Sequence, residues 1–347
     1  MKLRTESVAC SLCGSSREQL LFTARDSRTR LIADEFSLVQ CEDCGLVFVN
    51  PRPLDEELGK LYPPGTYYSL QHPDAMWKGG RQRLKSLAIK FVSGRHNTSC
   101  ARAGARLLRR IISVSIPYVE GGRILDIGCG SGAYLDLMCD AGWETYGVET
   151  AEVGAERARV RGHKIYSGEL LDAGFPPEHF DAILMHHVLE HVPNPAAVLG
   201  ECSRILKGGG LIAINVPNFG CYDRVTFGEH WDPLDIPRHL YHFSPATLRR
   251  AMEQAGLEVV RFRYRTWFTS RQFFCGSIRS LNWAKSDRRT VFRVYLRSCI
   301  LKPLHYLFSA KRDEKFAVTM TAYGSKVNRK EETRRNGLSI REHCELE

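Results

Sequence analysis

The chain has 347 residues, of which 43% are apolar and 25% are charged, and its net charge is +10. It contains no run of about 18 apolar residues, which argues against a membrane-spanning helix, and its first ten residues lack the apolar core of a signal peptide. We therefore expect a cytoplasmic protein. In a reducing compartment its 12 cysteines are ligands, reactive groups or small buried side chains rather than a disulfide framework.

The charge is unevenly distributed along the chain. Lys and Arg outnumber Asp and Glu by 10 to 2 in residues 66–120 and by 17 to 3 in residues 261–330, whereas residues 121–260 hold 11 against 19. An acidic centre between two basic segments suggests docking to an anionic partner, although solvated helix faces also produce such asymmetry.

The first module of the chain carries two matched cysteine pairs, Cys10-x-x-Cys13 and Cys41-x-x-Cys44, each followed by a glycine. Each pair can span one edge of a tetrahedral four-thiolate zinc site, and the glycine permits the tight turn back. Such a site has no open coordination position, so we predict a structural zinc ribbon, with four buried cysteines as the alternative. The module is slightly acidic, which argues against nucleic acid as a partner. A lid over the substrate or a folding staple fits better.

The segment after the ribbon is rich in proline and glycine, and we predict residues 61–120 to be a basic helical linker. Tyr67 and Tyr68 lie where a folded-over module would present their phenols to a neighbouring active site, and core packing is the alternative for both. Residues 81–91 have apolar side chains at helical spacing, which predicts an amphipathic helix.

Strands alternate with helices in the central region. A strand, a glycine-rich loop, a helix and a second strand are predicted within residues 123–149, and further strands at residues 164–168, 180–186 and 208–218, with a helix at residues 196–206. This alternation predicts the α/β class, with a mostly parallel, doubly wound, Rossmann-like sheet whose ligand binds at the carboxyl ends of the strands.

The glycine-rich loop reads Asp126-x-Gly128-x-Gly130-x-Gly132, which differs from the dinucleotide fingerprint G-x-G-x-x-G. Glu149 lies 19 residues beyond Gly130, at the end of the next strand. A carboxylate there can accept hydrogen bonds from both ribose hydroxyls of a bound nucleoside. A dinucleotide enzyme is the alternative.

The loop and the later motifs FDAILMHHVLEHVPNP, SRILKGGGLIAINVPN and PRHLYHFSPATLRRAMEQAGLEV resemble those of class I S-adenosylmethionine-dependent methyltransferases, whose sheet has seven strands. The chain looks like a bacterial group with an N-terminal four-cysteine ribbon that is similar to the sugar C-methyltransferases. The resemblance implies S-adenosylmethionine as cofactor and a last strand near residues 316–326. It implies that the cofactor is held by Asp126, Gly128, Gly130, Gly132, Glu149 and His187.

The sequence of residues 187–191 spells H-x-x-E-H, the pattern of the inverted zinc proteases. Here the pattern directly follows a strand, and Pro193 and Pro195 prevent a long helix, so we reject a peptidase. In the quinone-biosynthesis O-methyltransferases, which the chain resembles locally, a Glu-x-x-Glu-His run binds a divalent metal, and His187 replaces the first Glu. We expect these residues to line the methionine end of the cofactor pocket, with Glu190 and His191 contributing to catalysis.

The predicted general base is His239, because a hydroxyl or carbon acid must lose a proton and histidine suits that task near neutral pH. In the sugar C-methyltransferases that the segment resembles, the histidine base has an acidic neighbour, whose position Arg238 takes here. We expect Arg238 to pair with a substrate phosphate or carboxylate. A structural role for His239 near the helix that starts at Ser244 is the alternative, and Trp231 is expected either to wall the acceptor pocket or to pack in the core.

The segment before the last strand, residues 266–314, is predicted to be a basic amphipathic insertion. Its arginines recur on one helical face, which suits an anionic membrane surface, and packing against the core is the alternative. The arginines are Arg289, Arg293 and Arg297, and the apolar residues expected opposite them are Phe292, Tyr295, Leu296, Cys299 and Ile300.

We therefore predict a zinc-ribbon module (1–60), a basic helical linker (61–120), an S-adenosylmethionine-binding core (121–265), the insertion (266–314), the last core strand (315–327) and a disordered tail (328–347). The expected activity is methyl transfer to a small molecule, a nucleotide-linked or lipid-linked sugar or glycan. O- or N-methylation of another metabolite, such as a quinone, is the alternative. A non-enzyme alternative is a zinc-ribbon module that contacts nucleic acid or a membrane. Peripheral contact with the inner face of the membrane would suit a lipid-linked acceptor.

Overall fold

The structure, a computed structural model, describes residues 2–62, 116, 119, 121–265, 268–284, 288–298, 302 and 312–326. The strands of this part of the chain are β1 (Thr5–Glu6), β2 (Glu18–Arg25), β3 (Glu35–Cys41), β4 (Val47–Val49), β5 (Arg52–Pro53), β6 (Arg123–Ile127), β7 (Glu144–Glu149), β8 (Lys164–Ser167), β9 (Phe180–His186), β10 (Leu206–Pro217), β11 (Tyr241–His242), β12 (Leu257–Arg265) and β13 (Thr319–Lys326). The α-helices are α1 (Asp55–Leu58), α2 (Ala133–Asp140), α3 (Glu152–Val160), α4 (Pro195–Ile205), α5 (Tyr222–Phe227), α6 (Pro245–Gln254), α7 (Phe268–Trp283), α8 (Arg288–Leu296) and α9 (Arg312–Phe316).

The central region forms a seven-stranded sheet in the order β12-β13-β10-β9-β6-β7-β8. The strands from β10 to β8 are parallel, and β13 runs antiparallel between β10 and β12. The middle of β9, residues 182–185, is fully buried, as expected for a near-continuous apolar strand with parallel neighbours on both sides. The predicted α/β class and the seven-stranded methyltransferase-type sheet are confirmed.

Helix starts follow the local sequence signals. Helix α4 begins one residue before the predicted position because Pro195 occupies its first turn and the side chain of Asn194 accepts the backbone N–H of Ala197 at 3.0 Å. Helix α6 begins with a capping box between Ser244 and Thr247. These caps satisfy N–H groups that a helix cannot pair internally, and they fix where the loop before each helix ends.

The N-terminal module contributes three strands to a four-stranded sheet, β11-β4-β3-β2, whose fourth strand comes from the central region. Tyr241 pairs with Phe48 and His242 with Val47 across the antiparallel β11–β4 contact. Phe48 of the module and Leu240 beside β11 are both buried in one apolar cluster that extends into the central sheet. The N-terminal module and the core therefore share one continuous interior.

The structure describes part of the C-terminal insertion. Helix α8 packs through Val294, which is 6% exposed, while Phe292 is 64% exposed and lies among exposed residues with Arg289 and Arg293. Phe292 is therefore open to solvent, and Val294 is the residue of α8 that the core covers. Cys299, Ile300 and the predicted helix at 81–91 lie outside the described residues. Across the part of the chain that the structure describes, the helices are too short or too polar to span a membrane.

Candidate active site

The carboxyl ends of β6, β7 and β9 lie at one edge of the sheet, because these strands are parallel neighbours. The glycine loop follows β6, Glu149 ends β7 and His187 follows β9. Ligands of open α/β sheets bind at this edge. The topology thus brings the three predicted groups of cofactor residues to one side of the molecule.

Each loop glycine has a positive φ, and their surroundings differ. A Cβ at Gly128 would lie 2.5 Å from Cγ2 of Val188, and one at Gly132 would lie 2.8 Å from Cδ2 of His163. The lack of a side chain at both glycines therefore lets Val188 and His163 pack against the loop. A Cβ at Gly130, by contrast, would meet no atom within 4 Å. Space is therefore open beside Gly130 on the side where a side chain would project.

The Glu149 carboxylate links the two halves of the cofactor edge. Its Oε2 accepts the N–H of Gly130 at 2.7 Å and its Oε1 accepts the N–H of Ala151 at 2.8 Å. Gly154 lets α3 approach, since a Cβ there would lie 3.2 Å from Cγ of Glu149. An ionised carboxylate has about four acceptor positions, so Glu149 can keep both backbone bonds and still accept two ribose hydroxyls.

A second carboxyl, that of Asp126, lies in the same edge and is only 4% exposed. Burial, followed by the negative charge of Glu149, raises the pKa of Asp126 to about 8. A positively charged ligand would favour the ionised form of this carboxyl. The edge therefore fits a cationic nucleoside, and S-adenosylmethionine has both the ribose hydroxyls and the positive charge that it requires.

The H-x-x-E-H sequence lies in the loop between β9 and α4. His187 has a left-handed backbone (φ 54°), and its Nδ1 lies 2.9 Å from Oε1 of Glu190. The other carboxylate oxygen of Glu190, Oε2, is buried and has no hydrogen-bond partner among the described residues. Because α4 begins only at Pro195, the residues do not have the helical arrangement of a protease.

The imidazole of His191 faces the N-terminal module. Its Nδ1 lies 3.0 Å from the carbonyl oxygen of Arg238 and 2.8 Å from the hydroxyl of Tyr62. A carbonyl can only accept, so Nδ1 carries the proton and Nε2 has the free lone pair. Burial lowers the pKa of His191, which keeps the ring neutral at pH 7.

The predicted base, His239, has the same tautomer. Its Nδ1 donates to the carbonyl of Pro233 at 2.8 Å, so Nε2 is an acceptor, 4.0 Å from Oδ2 of Asp235. Its ring centroid lies 4.5 Å from that of His191. Burial and the neighbouring imidazoles hold the pKa of His239 well below its usual range. The ring is therefore neutral, with an unprotonated lone pair on Nε2.

Glu190, His191 and His239 each offer one ligand atom, and these atoms lie within 4.8 Å of one another. Two imidazoles and one carboxylate suit a divalent metal such as zinc or iron. This group excludes His187 and includes a histidine from a distant loop, so it differs from the Glu-x-x-Glu-His run considered above. The three residues could hold a metal, or their free lone pairs could accept protons directly.

The structure gives the surroundings of two further residues near His239, Arg238 and Trp231. Arg238 is fully buried and pairs with Asp26 and Asp235 at 2.5 and 2.7 Å. The expectation that its guanidinium pairs with a substrate anion is therefore wrong. Trp231 is 1% exposed and belongs to the apolar cluster around Phe219, which favours the packing role among the two expected.

The four cysteines of the N-terminal module come together. The Sγ atoms of Cys10 and Cys44 lie 3.4 Å apart, those of Cys13 and Cys41 lie 3.5 Å apart, and all four lie within 4.8 Å of one another. The edge of a tetrahedral zinc–thiolate site is about 3.8 Å at a Zn–S distance of about 2.3 Å. These thiols therefore fit a zinc ion in the predicted way.

Tyr62 and Asp26 were missed by the sequence reasoning. Tyr62 reaches His191, whereas the tyrosines that were predicted to face the site, Tyr67 and Tyr68, lie outside the described residues. The signal for Tyr62 was present, since it belongs to the same Tyr- and Pro-rich stretch. Asp26 had none, because its partner Arg238 lies 212 residues away.

A family model described as a methyltransferase domain matches residues 95–261. A ubiquinone biosynthesis O-methyltransferase of Idiomarina loihiensis is 30% identical over 173 residues, which cover 44% of this chain and 70% of that protein. One of Thiobacillus denitrificans is 31% identical over 155 residues, covering 40% and 66%. The crystal structure of an S-adenosylmethionine-dependent methyltransferase from Archaeoglobus fulgidus is 20% identical, with a TM-score of 0.42, and covers 65% of this chain and 93% of that one.

The matched region spans the glycine loop, the Glu149 carboxylate and the histidine loops. Its sheet order, its left-handed glycines and a carboxylate placed for a ribose agree with the family that the sequence resembled. The chain belongs to the S-adenosylmethionine-dependent methyltransferases.

Proposed function

We propose that the protein methylates a hydroxyl oxygen of a small polyhydroxylated molecule, with His239 as the general base. The observation that carries the proposal is the hydrogen bond from Nδ1 of His239 to the Pro233 carbonyl, which leaves Nε2 free to take a proton. S-adenosylmethionine, when bound, supplies a methyl group on a sulfonium and leaves as a neutral thioether. The acceptor hydroxyl gives its proton to Nε2 as its oxygen bonds to the methyl carbon.

Buried atoms around the base support an acceptor with more than one hydroxyl. Oε2 of Glu190 and Nδ1 of His242 are both buried without hydrogen-bond partners in the described part of the chain. Buried polar groups are normally paired. Oε2 of Glu190 is a carboxylate oxygen and accepts hydrogen bonds. Nδ1 of His242 is also an acceptor, because Nε2 of the same ring donates to the Leu234 carbonyl at 3.0 Å. Neighbouring hydroxyls of a substrate could donate to them.

The acceptor class that we favour is a dihydroxylated aromatic ring of the quinone-precursor type. The two relatives named above are O-methyltransferases of ubiquinone biosynthesis, which supports the quinone-like alternative from the sequence. The sugar or glycan acceptor, expected first, has no support from these relatives. Glu190 and Tyr62 would assist by orienting the hydroxyls and His191, respectively.

The test is transfer of labelled methyl from S-adenosylmethionine to two probes, a catechol with a short alkyl chain and a nucleotide-linked sugar. We expect label in the catechol, and His239→Gln should lower kcat by about 10²- to 10⁴-fold, the usual contribution of a positioned base. His179→Gln is a matched control, because His179 lies at the opposite end of the site strand, just before β9. Full turnover by His239→Gln would refute the base, and label in the sugar alone would refute the acceptor class.

We propose that the four cysteines hold a structural zinc ion, as their mutual distances support. Metal analysis of the purified full chain should give one zinc per chain. A folded, metal-free chain would contradict this proposal, and zinc in excess of one would point to the Glu190, His191 and His239 group as a second site.

An anionic membrane surface is the partner that we propose for helix α8. Phe292 and Val291 are 64% and 46% exposed, beside the exposed Arg289 and Arg293. Aromatic and cationic side chains on one surface favour the interface of anionic lipids. The protein should sediment with phosphatidylglycerol vesicles and less with phosphatidylcholine vesicles, and the double change Arg289→Ser and Phe292→Ser should abolish the difference. Equal binding to both vesicles would rule this partner out.

A further inference from the structure

A buried ion-pair group joins the N-terminal module to the segment that holds His239. The side chains of Asp26, Asp235 and Arg238 are all 0% exposed. Nη2 of Arg238 donates to Oδ1 of Asp26 at 2.5 Å, and its Nε donates to Oδ1 of Asp235 at 2.8 Å. Burial alone would lower the pKa of Arg238, but the two carboxylates raise it, so the guanidinium remains charged.

Asp26 is held rigidly by its own loop. Its Oδ1 accepts the N–H of Thr29 at 3.0 Å and its Oδ2 accepts the N–H of Leu31 at 3.2 Å. The hydroxyl of Thr29 donates to Oδ2 of Asp26 and accepts from Nη1 of Arg238 at 3.2 Å. A buried group with all these partners has one orientation, so Asp26 provides a fixed point for the guanidinium.

The backbone around Arg238 contacts the imidazole of His191 and the backbone N–H of His239. The carbonyl of Arg238 accepts from Nδ1 of His191 at 3.0 Å, and the carbonyl of Asp235 accepts the N–H of His239 at 3.0 Å. A displacement of the Arg238 side chain would therefore move the acceptor that orients one ring and the turn that carries the other. Sub-ångström placement of such groups decides how well they act in catalysis.

The N-terminal module also contacts residues 232–238 at a second point. Arg28 donates to Asp232 at 2.9 Å and to Asp235 at 3.1 Å. Because Asp26 and Arg28 are next-but-one neighbours, the two contacts hold residues 232–238 from one short loop. The ion pairs with Asp26 and Arg28 thus connect this segment to the N-terminal module.

We propose that Asp26 is a positioning residue for methyl transfer, which acts from the N-terminal module through Arg238 to fix the rings of His239 and His191. The proposal rests on the proposed function for the role of His239. Its structural claim, that Asp26 sets the orientation of the ring, can be tested without any acceptor.

The first experiment is NMR of the full chain with labelled histidine. The Nδ1–H signal of His239, assigned by its loss in His239→Gln, should report one neutral tautomer in the wild type. Asp26→Asn should broaden or shift that signal, whereas Asp43→Asn should leave it unchanged, because Asp43 belongs to an exposed pair with Arg17 on the same module. If Asp26→Asn fails to fold, Thr29→Val removes the hydroxyl between Asp26 and Arg238 and should give the same change. An unaltered His239 signal in the folded variants would overturn the proposal.

The second experiment is a double-mutant cycle in methyl transfer to the alkyl catechol, with rates normalised to bound S-adenosylmethionine. Asp26→Asn should lower kcat at least 10-fold and leave the Kd for S-adenosylmethionine within 2-fold. It should have little further effect when combined with His239→Gln, since both changes remove the same contribution. Multiplicative losses would mean a separate structural role and would overturn the proposal. If Asp26→Asn shifts the His239 signal but His239→Gln keeps full turnover, His239 is not the general base. The positioning of its ring by Asp26 would then still be established.

Discussion

The two sides of the active site are built in different ways. The cofactor side, from Asp126 to Ala151, is one continuous stretch whose loop, strand and carboxylate contact one another. The proposed acceptor side gathers Tyr62, the loop after β9 and the segment before β11, which are far apart in the sequence. A local motif can therefore specify the cofactor side, whereas the residues of the proposed acceptor side are brought together by contacts between distant parts of the chain.

Cys44→Ser should give the largest effect and should fall on the acceptor side alone. Structural zinc contributes about 10–16 kcal/mol to the folding of small zinc modules, so loss of a ligand should unfold the module. We expect kcat for the alkyl catechol to fall by more than 100-fold and the Kd for S-adenosylmethionine to change less than 3-fold. Calorimetric titration and turnover measure the two. Cys139→Ser, at an exposed cysteine of α2, is the control. If Cys44→Ser lowers the affinity for S-adenosylmethionine as much as it lowers kcat, the two sides are not independent.

Glu149→Ala should affect the opposite side. It removes charge-assisted hydrogen bonds worth about 1.5–3 kcal/mol each, so the Kd for S-adenosylmethionine should rise about 100-fold, as measured by calorimetric titration. The His239 imidazole signal should be unchanged. Glu152→Ala, on an exposed carboxylate of α3, should bind the cofactor normally. Undiminished affinity in Glu149→Ala would remove this residue from the cofactor site.

Gly128→Ala should weaken cofactor binding by about 10-fold, since a side chain at positive φ costs about 1–2 kcal/mol and the new Cβ would lie 2.5 Å from Val188. Gly200→Ala in α4, where a Cβ meets no atom within 4 Å, should stabilise the protein slightly because alanine favours a helix. Thermal unfolding and cofactor titration distinguish the two outcomes. Equal behaviour of the variants would show that the loop has room to adapt.

The two sides should also respond oppositely to pH. Burial lowers the pKa of His242 to about 4, and the groups that face its ring are Glu190, Asp235, Arg224 and His239. In the unfolded protein this histidine binds a proton at a higher pH than in the folded protein. The free energy of unfolding therefore falls as the pH drops from 6.5 towards 4. Burial raises the pKa of Asp126 to about 8, so the stability of the cofactor-free protein falls as pH rises from 3.8 towards 8. Each contributes up to about 1.4 kcal/mol per pH unit.

Thermal unfolding across pH separates these contributions. His242→Gln should flatten the acidic side of the profile and Asp126→Asn the other side, whereas His179→Gln, at a more exposed histidine, should change the acidic slope less. If neither His242→Gln nor Asp126→Asn alters its own side of the profile, burial is not what sets the protonation of these groups.

The sequence predicted the sheet well because its strands depend on short-range patterns, and the residues predicted to hold the cofactor lie together at one edge of that sheet. The bounds of β9 and the starts of α4 and α6 follow from apolar runs and capping residues within a few positions. The role of Arg238 was predicted wrongly because an arginine beside a histidine base gives no sign of a carboxylate 212 residues earlier. Helical spacing likewise does not reveal which face of a helix the core covers, so the burial of Val294 and the exposure of Phe292 are known only from the structure.

Strand β11 has a consequence for how this protein can be divided or recombined. Tyr241 and His242 complete the sheet of the N-terminal module from inside the catalytic region. A fragment that ends in the linker would expose β4, whose residues 47–49 are buried in the whole chain, as an apolar edge open to aggregation. A catalytic fragment without the module would lose the ion pairs of Arg238 with Asp26 and of Asp235 with Arg28. Exchange of the module between relatives would thus require exchange of residues 232–242 as well.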